Sequence, residues 1–251
     1  MTATALAIAG LLPSTKAVTN GSILFNGQEL VGLNRRAQAR LLGANIGYLP
    51  PDLLGSLDPT RTILSQLSSP LRRRLDRPAA RKLALKALDR VGLYNPEVVA
   101  LSYPGDLSPV VVQRVAVAAA LSLDPELLIA EIPAGPAHAR PLADLLRLVR
   151  ALQSKHQFAL ILVTDDLGVA AECCEHIAVL ETGRIVEQGS VDELFESPQH
   201  PHTQWMLDSR QPYSFSPADL APGARAGVPH VVALHSVDAS AFYHGAGALS
   251  C

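Results

Sequence analysis

Glu131 closes the apolar run Leu127 to Ala130, and Asp165 and Asp166 follow a second run, Phe158 to Thr164. Carboxylates at the carboxyl ends of adjacent strands stand where open α/β sheets gather ligands, and their hard oxygens suit Mg²⁺. Helix capping is the favoured reading, because helical sequence follows. His200 and His202 have the spacing to share a metal, but Pro198 and Pro201 fit a structural turn and no third ligand is near in sequence. Arg72-Arg73-Arg74 could meet phosphate or lipid headgroups, against the ordinary reading of a solvated helix end. Cys173 and Cys174 lie on helical sequence with no activating base beside them and read as buried, inert thiols.

The chain that positions these residues has 251 residues, 48% hydrophobic and 18% charged, with a net charge of -2. That composition excludes a disordered tail or a basic protein that coats DNA. The length allows one large α/β domain, or a domain with an appendage, and buries a proper core. The 3 cysteines, two of them adjacent, cannot build an extracellular disulfide framework, so a reducing cytoplasm fits. Met1 to Pro13 is apolar but has no positive flank, and reads as a buried helix rather than a targeting signal. Val115 to Leu123, bracketed by Arg114 and Asp124, falls short of the roughly 18 apolar residues of a membrane span, so membrane contact goes through a partner.

Periodicity predicts a helix over residues 4–12 closed by Pro13, a strand from Ser22 to Phe25 entering the turn Asn26-Gly27, and a helix from Arg35 to Leu42. Asn45 to Leu49 is extended and stops at Pro50-Pro51. From Arg61 to Leu123 the signals are helical, including Ala79 to Val91, and Val110 to Leu123 after Ser108 as N-cap and Pro109 at the first helical position. The second half alternates: strand Leu127–Ile132, helix Pro141–Leu152, strand Phe158–Thr164, helix Leu167–Cys174, strand Ile177–Glu181, turn Thr182-Gly183, strand Arg184–Glu187. This is βαβ logic and predicts a mainly parallel sheet flanked by helices. Helices at Val191–Glu196 and Thr203–Leu207 end the ordered part, and the charge-poor residues 209–251 are expected to form a loosely ordered tail.

This order of elements, with Leu107-Ser108 opening a helix, Leu127 to Ala130 as an apolar strand and Val163-Thr164-Asp165-Asp166 ending the next, resembles an ABC-transporter ATP-binding subunit over roughly residues 1–208. Gly21-Ser-Ile-Leu-Phe-Asn-Gly27 resembles the hairpin of oligopeptide and dipeptide permease ATPases, and Pro198-Gln-His-Pro-His-Thr203 resembles their P-x-H-P-Y-T stretch. The resemblance implies a P-loop NTPase-like core (residues 1–60 and 124–208) into which a helical subdomain (61–123) is inserted.

Each catalytic station that the resemblance implies is altered. In register with Gly10-Leu11-Leu12, Met1 stands where the phosphate-loop lysine would be and Thr2 where the Mg²⁺ hydroxyl would be; the glycine loop and the strand before it are missing. Pro51 occupies the place of the glutamine that contacts Mg²⁺ and water, and has neither amide side chain nor N–H. The signature that clamps the opposite subunit's γ-phosphate reads Leu107-Ser108-Pro109-Val110-Val111, so Pro109 removes a donor and Val110 adds a branched side chain where phosphate must approach backbone. The Walker B carboxylate pair is Glu131-Ile132, leaving Glu131 as a weak metal candidate beside a residue that cannot orient water. His138 replaces the D-loop aspartate, and Asp165 replaces the switch histidine with a charge that repels phosphate.

ATP and Mg²⁺ serve the family; none is expected here, nor any catalytic residue. The resemblance implies permease transmembrane subunits and a second ATP-binding subunit as partners, at the inner face of the membrane, with no nucleic acid and no membrane insertion. Leu53, Leu54 and Leu57 flank the altered glutamine loop and are the candidate docking surface, with ordinary core packing as the alternative. The favoured function is a non-hydrolytic subunit of an oligopeptide or dipeptide importer, acting as a structural partner. An active or weakly active transporter ATPase with its phosphate loop encoded upstream of Met1, and a non-transport interaction module or relic, stay open.

Overall fold

Double-sided burial of one strand organises the molecule. In the computed structural model, which describes residues 2–13, 18, 20–132, 139–208 and 230–235, strand β4 (Leu127–Glu131) is buried at every residue. Its side chains alternate: Leu127 and Ile129 join one apolar cluster, Leu128 and Ala130 the other. Each fully buried Leu or Ile on such a strand contributes about 1.5–3 kcal/mol.

Around β4 runs a six-stranded sheet in the order β3-β4-β5-β8-β6-β7. Strands β3 (Ile46–Leu49), β4, β5 (Ala159–Thr164), β8 (His230–His235) and β6 (His176–Glu181) are parallel, and β7 (Arg184–Ser190) closes the edge antiparallel to β6. Thr182 and Gly183, both at positive φ, make the β6–β7 turn. The small hairpin of β1 (Leu24–Phe25) and β2 (Gln28–Glu29) turns at Asn26 and Gly27 in the same way, and Asn26 and Asn45 both donate to the Glu126 carboxylate, tying hairpin to sheet.

One face is covered by α1 (Thr2–Ala9), whose Ala5 and Ala9 pack with Ile46, Leu127, Ile129 and Val163. That helix is expected over residues 4–12; it stops earlier because Gly10 takes a positive φ and Leu11 N–H turns back to the Leu6 carbonyl. Helix α2 (Arg35–Leu41), capped by Asn34, leads into β3. The larger cluster lies on the other face. It joins α3 (Ile63–Leu71), α4 (Arg77–Arg90, capped by Asp76), α5 (Pro96–Leu101) and α6 (Pro109–Ala120) to α7 (Ala139–His156) and α8 (Leu167–Cys173). Gly47 lets α6 approach β3: a Cβ there would sit 2.5 Å from the Ala120 carbonyl oxygen. Helices α9 (Val191–Glu196), with a Ser190/Glu193 capping box, and α10 (Pro201–Asp208) finish this part. Among the described residues, no helix is long and apolar enough to cross a membrane.

One sequence expectation is corrected. His230–His235 lies within the stretch read as a loose tail, yet it forms β8 in the sheet interior, parallel to both β5 and β6. The reason is compositional: Val-Val-Ala-Leu is a short, β-branched, uncharged run of the kind that takes neighbours on both sides. Without it the facing edges of β5 and β6, which do not pair with each other, would leave backbone donors and acceptors unpaired. The rest of that stretch lies outside the described residues.

Val232, opposite Leu162 and Ile177, tests this placement. Val232→Pro removes a ladder N–H and strands a carbonyl, at a cost of about 1–3 kcal/mol, so the melting temperature should fall by about 3–10 °C. An unchanged melting curve would place 230–235 outside the sheet.

Candidate functional site

Because β3, β4 and β5 are parallel and in register, their carboxyl ends reach one edge of the sheet, bringing together the loop after Leu49, Glu131-Ile132 and Thr164-Asp165-Asp166. Glu131 is only 5% exposed. Two residues beyond Ile129, it takes the face of the sheet on which Tyr48 also packs, and the Tyr48 hydroxyl donates to Glu131 Oε1 at 2.5 Å. Burial, then the hydrogen bond and charge of Glu131, hold the Tyr48 phenol well above its ordinary value. The metal candidate is thus a partner in a half-buried tyrosine–carboxylate pair. Sequence reasoning missed Tyr48; its signal was a polar-tipped residue at period two near the end of an apolar strand.

Ile132 follows at 4% exposed, packed into the larger cluster with its N–H on the Val163 carbonyl. Its side chain supports the core rather than the strand edge. On β5, Thr164 is fully buried, Asp165 half-buried, and Asp166 is the N-cap of α8, accepting from Gly168 and Val169 N–H through Oδ1. The capping reading therefore holds for Asp166. Among the described residues, no group of three or more His, Cys, Asp or Glu could hold a metal ion.

Pro51 stands exposed at the start of a tightly turned loop. Asp52 accepts from Gly55 N–H at 2.8 Å, Ser56 donates to the Leu53 carbonyl at 2.7 Å, and Leu57 N–H bonds the Leu54 carbonyl at 3.1 Å. The turn sorts the three leucines: Leu57 is in the core, Leu53 packs partly against it, and Leu54 is 55% exposed. Of the docking candidates, Leu54 alone presents its side chain to solvent.

At the amino end of α6, Ser108 is the N-cap, but its hydroxyl makes no capping bond. Pro109 occupies the first turn without an N–H, and Val110 is 43% exposed. The helix survives with an apolar tip where an anion would need donors. Thr2 opens α1, and its side chain, like all of His138, lies outside the described residues. At the other positions, Glu131 accepts from Tyr48, Ile132 and Pro109 carry no polar side chain, and Pro51 has no amide side chain.

The remaining candidates are structural. Gln199 and His200 N–H donate to the Glu187 carboxylate, His202 N–H donates to His200 Nδ1, and the His202 ring stacks on Trp205 at 5.8 Å with Nδ1 3.4 Å from Glu181. Together they dock α10 on the β6–β7 hairpin. Burial pushes the Cys173 thiol up to about 12 and raises Cys174 well above its ordinary value, which leaves both unreactive.

The sequence pattern of a family described as ABC transporter matches residues 2–134. The dipeptide transport ATP-binding protein DppD of Bacillus subtilis (strain 168) is 35% identical over 222 residues, covering 87% of this chain and 66% of its own length. The oligopeptide transport ATP-binding protein OppD of the same organism is 36% identical over 209 residues, covering 82% of this chain and 58% of its own. The chain thus spans less than two thirds of these relatives. Among solved structures, the post-hydrolysis dimer of the ATP-binding cassette MJ0796 bound to ADP and Pi superposes with a TM-score of 0.63 at 23% identity, over 76% of this chain and 80% of that one, a likeness of fold.

The Tyr48–Glu131 pair generates a pH test. An unfolded phenol releases its proton near pH ~10, whereas the folded one holds it to higher pH, so the unfolded state binds fewer protons above that point. Stability from the pair is full below about pH 10 and is lost as pH rises further. Urea unfolding from about pH 8 to about pH 11 should show a decline in wild type that is shallower in Tyr48→Phe. Equal slopes would mean that the hydroxyl is not held as described.

Proposed function

The chain belongs to the ABC transporter family, and on that premise we propose that it is a non-hydrolytic ATP-binding-type subunit of an oligopeptide or dipeptide importer. In this reading it is a structural partner of permease transmembrane subunits and a second ATP-binding subunit, peripheral at the cytoplasmic face of the membrane. The peptide assignment draws on the two relatives named for dipeptide and oligopeptide transport.

One observation carries the loss of chemistry: positions that would serve different steps are altered together. Pro51 cannot orient water, Ile132 is core, the tip of α6 is Pro109-Val110, and Asp165 puts a carboxylate where a phosphate-contacting histidine would stand. Removal of single oriented groups of this kind commonly costs about 10²–10⁴ in rate. In a dimer whose nucleotides lie between one subunit's Walker elements and the other's signature, both halves of this chain are impaired. A partner ATPase gains little from it, which favours a structural role over a one-sided regulatory one.

The surface that remains for such a role is the turn after β3. Leu54 protrudes from a loop fixed by its own hydrogen bonds, next to helices packed into the larger apolar cluster. Leu54→Asp would place a charge in a desolvated interface at a cost of about 2–4 kcal/mol, while leaving the free subunit's melting curve unchanged because the side chain is already exposed. Co-purification with co-expressed permease subunits should then fall at least tenfold. Ile185→Asp, which charges a comparably exposed residue (54%) on β7 at the far sheet edge, should not change it. Retention of the permease by folded Leu54→Asp sinks the docking assignment.

A further inference from the structure

The arginine run that opened as a solvated helix end has a second half. Arg73 and Arg74, in the turn after α3, face Arg36 and Arg40 of α2 across a groove of about 510 Å³. Leu42 and Leu123 are among its apolar lining, and among the described residues no acidic or aromatic side chain lines it. Arg74 Nη2 donates to the Arg40 carbonyl at 2.8 Å, which fixes the spacing of the two walls. The groove lies at the amino ends of the strands, since Leu42 leads into β3 and Leu123 precedes β4. That is the sheet edge opposite Glu131.

We propose that this groove binds a small anion carrying two or more closely spaced phosphates. Guanidinium forks match phosphate oxygens in pairs, and a volume of this size is ordinary for a small-molecule site. Arg36 and Arg40 stand one helical turn apart, where like charges repel, and Arg73 and Arg74 add to the same field. The repulsion is not relieved internally: among the described residues the arginine ion pairs are those of Arg90 with Asp124 and Arg147 with Asp144, and none reaches the groove. Nor does it follow from general basicity, for the chain's net charge is -2. A dense anion supplies the missing countercharge; a single carboxylate would neutralise only one of the four cations. Nucleic acid is disfavoured because the patch is one confined groove without an aromatic face for a base.

Titration calorimetry of the full chain with inorganic triphosphate, in EDTA and low salt, tests the proposal without relying on the Mg·ATP site. A parallel arm uses sedimentation with vesicles that contain cardiolipin, whose headgroup carries two phosphates, against neutral phosphatidylcholine vesicles. Saturable binding of triphosphate assigns a soluble polyphosphate, and binding of cardiolipin vesicles alone assigns a phospholipid headgroup; both support the phosphate chemistry. Arg40→Ala with Arg73→Ala should weaken whichever binding is seen by about tenfold or more, and replacement of both by Lys should recover only part of it. The Arg74 contact uses the Arg40 backbone, so this variant keeps it, and Arg36→Ala with Arg73→Ala is a second reading of the same loss. Arg81→Ala with Lys82→Ala, on exposed positions of α4, should change binding less than about twofold. No binding of either probe, equal loss in groove and α4 variants, or binding confined to an RNA oligonucleotide overturns the proposal.

Discussion

Burial of β4 on both faces is the constraint on which the rest depends. A strand packed against α1 on one side and the helical layer on the other must be apolar along its length and paired along both edges. Pairing with β3 and β5 then decides where Glu131, Ile132, Tyr48 and Thr164 emerge, because parallel register carries all their ends to one edge. The site is a consequence of the sheet. The residues at that edge answer to the packing behind them.

The same packing lets a cassette fold stand with these residues at its edge. A carboxylate at position 132 would have to be desolvated; isoleucine there adds to the core. Glu131 is buried with the Tyr48 hydroxyl donating to one of its oxygens. Pro109 starts α6 with a preset backbone angle, and the Asp52–Gly55 turn stiffens the loop behind Pro51. Each of these residues is accommodated by the packing around it, which suits the structural role we propose.

Much of this was legible in the sequence because it is local. Alternation and helical spacing marked the sheet strands up to β7, the capping residue Asp166 and the turns at Asn26 and Thr182 carry their own chemistry, and the altered stations follow from residue type. What stayed hidden depends on partners far away in the chain. The strand β8 has no local signal beyond six residues, and its neighbours β5 and β6 lie well upstream. The Tyr48–Glu131 bond spans a separation of 83 residues and exists only once β3 pairs with β4. Leu53, Leu54 and Leu57 are alike in sequence, and only the turn separates core from surface. The arginines of α2 and of the turn after α3 become one groove only in three dimensions.

The central claim is that the fold persists without ATP hydrolysis, and phosphate release measures it most directly. The full chain, alone and with co-expressed permease subunits, is mixed with Mg·ATP, and inorganic phosphate is followed beside a matched Glu131→Gln preparation. The account predicts release at the no-protein background for both preparations. Release by the wild-type chain that exceeds background, disappears on addition of EDTA and is absent from Glu131→Gln would contradict it.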